Sequence, residues 1–358
     1  MSGIGIYVTW NMTNWRVFAR DRRVPGQTGG EMMDNVKLLP WLLEPETPSI
    51  RYWALSDLLD KPADDPEVRA AHAAIPTRSP VAELLAAQKP DGNWVKRDYY
   101  LPKNYGTFWV LSALADLGLT RENEHVRRGC EFLFAHQREH GGFCRRRRIS
   151  GQGIVWETQS EPCTQARIVR FLIQFGYADD PRTGAAINWL LATQRDDGMW
   201  RCDRAGGHGC LRATLDVLRA AVLDPETAAH PAISRAAAMI CNLLMQPRMG
   251  RYHVGDVWQI LEYPYVGYGV ISALDALARL SYTLEQPQVA TAMEYLQSRR
   301  LPNGAWPLDQ SVPRPPFDVG QPGRPNKWLT LDALRVIKLL HARTDPEENH
   351  DTEKSSQR

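Results

Sequence analysis

No run of eighteen apolar residues occurs in the 358-residue chain, which excludes a membrane-spanning helix of ordinary length. No charged segment leads into an apolar one at the N-terminus, so no secretory signal is read there. Charge of one sign is scarce as an excess: 43 Lys and Arg against 41 Asp and Glu leave +2. That balance gives no general footprint for nucleic acid and limits membrane contact to the peripheral kind. Cysteines number six; in a cytoplasmic protein, the expected compartment, they are thiols or metal ligands and not disulfides. A glycine-rich phosphate loop, a dinucleotide fingerprint and a Gly-x-Ser-x-Gly elbow are all missing, so nucleotide cofactors and serine hydrolysis have no support.

Present in quantity are tryptophan, with 12 residues, and apolar side chains, at 43% of the chain, enough for a sizeable core. One phrase, Gln-x-x-Asp-Gly-x-Trp, occurs intact at Gln88 to Trp94 and at Gln194 to Trp200. Weaker copies stand at Gln137 to Phe143, Gln246 to Tyr252 and Arg300 to Trp306, so successive copies start 49, 57, 52 and 54 residues apart. A near-constant period of this size means stacked copies of one structural unit. An amphipathic helical pattern precedes each copy, as in Val126 to Gln137, and a more apolar one follows it, as in Phe108 to Leu117. The Asp-Gly or Asn-Gly supplies the positive φ of a turn, and the aromatic residue is placed to pack back on the helix ends. The phrase is therefore read as a scaffold clamp.

Six of the more apolar helices are expected, at Arg51 to Leu59, Tyr105 to Leu117, Pro162 to Phe175, Cys210 to Val222, Pro264 to Leu280 and Lys327 to His341. They form an inner ring inside the amphipathic ones, an all-α, single (α/α)6 toroid over residues 33–343. Asn35 to Leu43 offers itself as the missing outer partner. Residues 1–32 are read as a poorly ordered arm and 344–358 as a disordered polar tail. Asp64-Asp65 and Asp179-Asp180 each precede a proline and a helix, where carboxylates cap helix starts.

The repeated phrase resembles the QW repeat of the prenyltransferase and squalene-cyclase superfamily of α/α toroids, over roughly residues 48 to 342. That superfamily holds cyclases, prenyltransferase β subunits and non-enzymatic members, so the resemblance implies the fold before the chemistry. The Asp-x-Asp-Asp acid motif of squalene-type cyclases is absent, and those cyclases have two toroid-like domains where this chain has room for one.

In a toroid, every loop from an outer to the next inner helix opens at one end. Cys163, Cys202, Cys210 and His253 fall at that mouth, with Glu161 and His208 as alternates, and thiolates with imidazole there would suit zinc. Prenyltransferase β subunits hold zinc by an acid and a Cys two apart and a His near the next inner helix. Glu161-Pro162-Cys163 and His208-Gly209-Cys210 stand in comparable places, although the acid here is Glu. The resemblance also implies a partner subunit, which this chain does not encode. Aromatics at inner-helix starts, chiefly Trp53, Tyr105, Trp109, Tyr265, Tyr268 and Trp328, could line a cavity for an apolar small-molecule substrate and stabilise a carbocation. Asp203, Asp256 and Asp309, in mouth loops, are the candidate catalytic acids or bases, with Asp98, Glu262 and Asp318 nearby. The Arg145 to Arg148 run is either a solvated loop or an anion site, and Lys103 and Lys327 could meet a diphosphate or these carboxylates.

The resemblance leads to an enzyme of isoprenoid chemistry, a prenyltransferase or terpenoid cyclase. Two other classes compete: a toroid that only binds a lipid or peptide, and a polysaccharide-active α/α barrel using Tyr99, Tyr100 or His253.

Overall fold

A computed structural model describes residues 7–9, 16–18, 38–95, 98–149, 153–156, 160–201, 209–246, 257–263, 269–312 and 315–344. Helices dominate. The inner ring consists of α2 (Pro48–Trp53, continued by a π-turn at Ala54–Leu58), α5 (Thr107–Asp116), α7 (Pro162–Gln174), α9 (Leu211–Ala221), α12 (Val270–Arg279) and α14 (Lys327–Thr344). Neighbours pack in that order around the ring, and α14 returns to α2. Between α2 and α5 the circle is closed by the Trp53 indole, which donates to the Asp116 carbonyl at 2.9 Å. All six helices of the inner ring match the stretches expected from the apolar periodicity.

The outer ring is α1 (Leu38–Leu42), α3 (Pro66–Ala74) with α4 (Val81–Ala86), α6 (Glu124–Phe134), α8 (Pro181–Ala192), α11 (Pro231–Leu243) and α13 (Pro287–Ser298), with a short α10 (Pro225–Ala228) before α11. Of the expected partner at Asn35 to Leu43, Leu38–Leu42 forms α1, and 35–37 lie outside the described residues. Before the first phrase the outer element is broken in two, because Pro76 and Pro80 interrupt the helical ladder. Four of these helices begin with carboxylate or amide caps. Asp65, Asn123, Asp180 and Asp224 accept hydrogen bonds from the first-turn N–H groups of α3, α6, α8 and α10. Three antiparallel pairs complete the list of elements: β1 (Tyr7–Thr9) with β2 (Arg16–Phe18), β3 (Arg146–Ile149) with β4 (Gly153–Trp156), and β5 (Trp200–Arg201) with β6 (Gly209–Cys210).

The repeated phrase is the clamp that joins one unit to the next. In its first three copies the Gln amide donates twice. Gln88 bonds to the Gly92 carbonyl at 3.1 Å and to His125 at 2.8 Å. Gln137 reaches Gly141 and Arg182, and Gln194 reaches Gly198 and Ala232. Each second acceptor is the second residue of the following outer helix. Gly92, Gly141, Gly198 and Gly304 all have φ between 78° and 90°. The indole N–H of Trp94, Trp200 and Trp306 returns to its own outer helix at Leu84, Leu190 and Leu296. The backbone N–H of the phrase's aromatic residue donates to the start of the next inner helix, at Thr107, Gln165, Thr214 and Thr330. In the fifth copy Arg300 replaces Gln and still donates to Gly304, at 2.7 Å. Residues 247–252 of the fourth copy lie outside the described residues.

Candidate functional site

The inner helices enclose an axial cavity of about 370 Å³. Its mouth end is aromatic. Trp328 lines it, and Tyr263 stacks on Trp328 with centroids 5.3 Å apart and planes at 7°, whereas Trp53 lines the cavity deeper, with Arg335 over its ring at 5.1 Å. Beyond that pair the walls are ionised. Asp57, Asp116, Asp275 and Asp332 face Arg167, Arg170, Arg219, Arg279 and Arg335. Most are held in pairs: Arg170 with Asp116 at 2.8 Å, Arg279 with Asp275 at 2.9 Å, and Arg335 with both Asp57 at 2.6 Å and Asp332 at 2.8 Å. Arg167 bonds both oxygens of Asp216 at 3.1 Å, with both side chains over nine-tenths buried. Aromatic side chains thus line one end of the cavity, and charge lines the rest.

Burial acts on two of the cavity acids. It pushes the Glu262 carboxyl up, against the pull of Arg212, Arg167, the Gln310 side chain and Lys103. Burial also raises Asp332, opposed by Arg335, although 35% of its side chain remains accessible. Glu262 makes no ion pair among the described residues. Burial lowers Arg219 to about 10, and Arg170 beside it adds to the shift.

A second pocket, about 290 Å³, opens at the mouth between the N-terminal ends of α5, α7 and α9. Arg167 belongs to both spaces. Glu161, Cys163 and Cys210 line this pocket, so three members of the expected zinc set do come together. Burial pushes the Cys163 thiol up to about 11, helped by Asp216 and Glu161. Cys202, His208 and His253 lie outside the described residues. Among the described residues no group of three or more His, Cys, Asp and Glu is disposed to hold a metal ion. The donors that can be placed do not by themselves make a metal centre.

The other expected residues scatter. Asp203, Asp256, Tyr265 and Tyr268 are outside the described residues. Asp309 accepts from the Leu261 N–H at 2.8 Å and from Arg299 at 2.6 Å, and does not line either cavity. It latches the Val257 to Tyr263 segment to α13. Tyr105, expected at the cavity wall, is 38% exposed and lines neither cavity. It sits in the loop before α5, ahead of the turn that directs Phe108 and Trp109 inward. Trp109 lines the mouth pocket and donates its indole N–H to Tyr100. Tyr99, a candidate base for a glycan enzyme, is buried with its hydroxyl on the Phe143 carbonyl. Lys327 pairs with Glu44 at 2.5 Å. Cys130 and Cys241 are buried core thiols.

Comparison with known proteins bears on this geometry directly. The family model for the squalene-hopene cyclase C-terminal domain matches residues 65–241, the part of the ring that carries three of the clamps. Over that segment the chain is similar to the squalene-cyclase-like superfamily. A squalene–hopene cyclase of Bradyrhizobium diazoefficiens is 28% identical over 157 residues, covering 40% of this chain and 23% of that protein. A lanosterol synthase of Aspergillus fumigatus is 28% identical over 137 residues, covering 38% and 18%. This squalene-cyclase-like chain thus spans less than a quarter of the length of the curated relatives it matches. A type II terpene cyclase from Scytonema superposes with a TM-score of 0.42 at 16% identity, covering 83% of this chain and 88% of that one.

The inner-helix charges were missed in reading the sequence, although they leave a signal. Asp216 and Arg219 are three apart, Asp332 and Arg335 three apart, and Asp275 and Arg279 four apart, inside helices otherwise apolar nearly all round. Charged pairs on a helix with no solvent face must meet inside.

Proposed function

We propose that the protein is a terpenoid-cyclase-type enzyme that protonates an alkene of an isoprenoid in the axial cavity, with Glu262 as the proton donor. The observation that carries this reading is a carboxyl group raised by burial, without an ion pair among the described residues, next to the Tyr263–Trp328 stack. In the step, the alkene π pair takes the Glu262 proton to form a C–H bond. A carbocation remains on the other carbon and a carboxylate on Glu262. The faces of Trp328 and Tyr263 stabilise that cation, and loss of a proton from the cyclised cation to the Glu262 carboxylate restores the acid. Asp332 is the weaker candidate donor because Arg335 holds its carboxylate form. A volume of about 370 Å³ stands at the small end of ligand cavities, which favours a short isoprenoid.

The test is product formation by gas chromatography and mass spectrometry with prenyl substrates of graded length. Glu262→Gln keeps the shape and removes the proton, and is expected to lower the rate by about a hundredfold or more. Turnover undiminished in Glu262→Gln overturns the assignment.

Zinc at the mouth pocket is a separate proposal, and no step above runs through it. One zinc per chain, lost in a Cys163→Ala/Cys210→Ala variant, supports it. Zinc-free, folded protein purified without chelator overturns it.

A further inference from the structure

Glu262 stands on a segment that is tied down more firmly than its place in a loop requires. The Arg299 guanidinium, at the end of α13, donates to the Gln259 carbonyl at 2.9 Å and to Asp309 at 2.6 Å. The Tyr295 hydroxyl donates to the same Gln259 carbonyl at 2.7 Å. Asp309 in turn exchanges hydrogen bonds with Leu261. Its backbone N–H donates to the Leu261 carbonyl at 2.8 Å, and its carboxylate accepts from the Leu261 N–H at 2.8 Å. One residue further along both segments, Glu262 and Gln310 stand side by side in a parallel bridge, and the Tyr263 N–H donates to the Gln310 carbonyl at 3.4 Å. The Gln310 amide donates to the Glu262 carboxyl. Glu262 lines the axial cavity, whereas Gln310 is exposed and lines neither cavity. Water could satisfy an exposed amide, so core packing gives no reason for that contact.

We infer that Gln310 is the positioning residue of the proton donor: its amide holds one oxygen of Glu262 and leaves the other to carry the proton. A neutral carboxyl group has a donor O–H on one oxygen and accepts chiefly at the other. With an N–H fixed on one side, the carboxyl cannot turn end over end without breaking that bond. The Asp309 and Arg299 contacts set the register that puts Gln310 beside Glu262, so the acid is oriented before any substrate arrives. Arg212 of α9, Arg167 of α7 and Lys103 from the loop ahead of α5 also face Glu262. Their charge favours the carboxylate whichever oxygen bears it, while the directed bond from Gln310 distinguishes the two. The inference rests on the reading of Glu262 as the acid and adds the group that orients its proton.

The test follows the Glu262 carboxyl itself. The full chain, labelled with carbon-13 at its glutamate carboxyls, is titrated by NMR, and the Glu262 signal is the one lost in Glu262→Gln. Gln310→Leu removes the amide with little change in volume. At an exposed position it is expected to leave the melting temperature within about 2 °C of wild type. The Glu262 midpoint is expected to rise in this variant, because the lost N–H favoured the charged form. Turnover of prenyl substrates is expected to fall about tenfold on its acid-side plateau, with KM within about twofold. The pH at which turnover declines should move up with the midpoint. A purely structural role moves neither the midpoint nor the decline. A midpoint that stays or falls in Gln310→Leu overturns the inference, whether or not product forms; a fall would mean that the amide accepts the Glu262 proton instead. A raised midpoint with full turnover overturns it too, since the contact then orients nothing. A raised midpoint with no product from any prenyl substrate, even in wild type, leaves the contact standing and overturns the protonation reading on which its role rests.

Discussion

At the scale of single residues, the repeated phrase separates what the backbone demands from what packing demands. Gly141 and Gly198 occupy the same turn position with φ of 90° and 78°. A Cβ on Gly198 would find its nearest neighbour at 3.7 Å, but on Gly141 it would lie 2.2 Å from the Ala185 carbonyl oxygen of α8. Gly198→Ala is therefore expected to cost only the left-handed backbone penalty, about 1–2 kcal/mol. Gly141→Ala adds displacement of a helix backbone, roughly another 1–3 kcal/mol by the cost of overpacking. Equilibrium denaturation of the two variants measures the difference, and equal losses would contradict the proposed close approach. That Gly is needed at the turn could be read from the phrase. That the next outer helix presses against one copy and leaves another free could not, because the spacing is set against residues 37 to 44 positions away, Arg235 for Gly198 and Ala185 for Gly141.

At the scale of elements, α7 and α9 are joined across the ring by Arg167 and Asp216, both nearly inaccessible to solvent. Asp216→Asn leaves a buried guanidinium without its carboxylate and is expected to destabilise by about 3–5 kcal/mol. Replacing both partners with apolar groups of similar volume, Asp216→Leu with Arg167→Met, should recover most of that loss, since the pair repays little beyond its own desolvation. A single variant within about 1 kcal/mol of wild type would mean that the pair is not holding the helices. The helices themselves were readable because apolar periodicity and the 49-to-57-residue spacing both repeat. The cap residues Asp65 and Asp180 were readable too, since an acid before Pro has a local role. Which inward charge meets which was only partly readable: Arg279–Asp275 and Arg335–Asp332 lie within one helix, whereas Arg167–Asp216, Arg170–Asp116 and Arg335–Asp57 join elements far apart in sequence. Asp309 shows the same limit: its sequence position says mouth loop, and only the fold turns it toward Arg299 and Leu261.

At the scale of the whole molecule, the ring brings one carboxyl from the mouth loop, Glu262, into a space it shares with helices from every quarter of the barrel, and its protonation should be visible in the behaviour of the entire protein. Burial raises the carboxyl above its ordinary value of 4.5, while Arg212, Arg167, the Gln310 side chain and Lys103 pull the other way. The fold thus shifts Glu262 toward the neutral form, the one that can donate a proton. Turnover is expected to be highest on the acid side and to fall as pH rises through the raised value. Stability follows the same sign: the folded state binds this proton more tightly than the unfolded chain, so its contribution is complete below the ordinary carboxylate value and declines as pH climbs through the folded one. Glu262→Gln has no proton to lose. Its melting temperature relative to wild type should therefore rise across that window and be level below it. Asp332, raised by burial as well, remains in both proteins and cancels in the difference. A melting difference that is flat with pH, or that falls, would show that Glu262 is ionised in the folded protein at all working pH, and the proton would have to come from Asp332 instead.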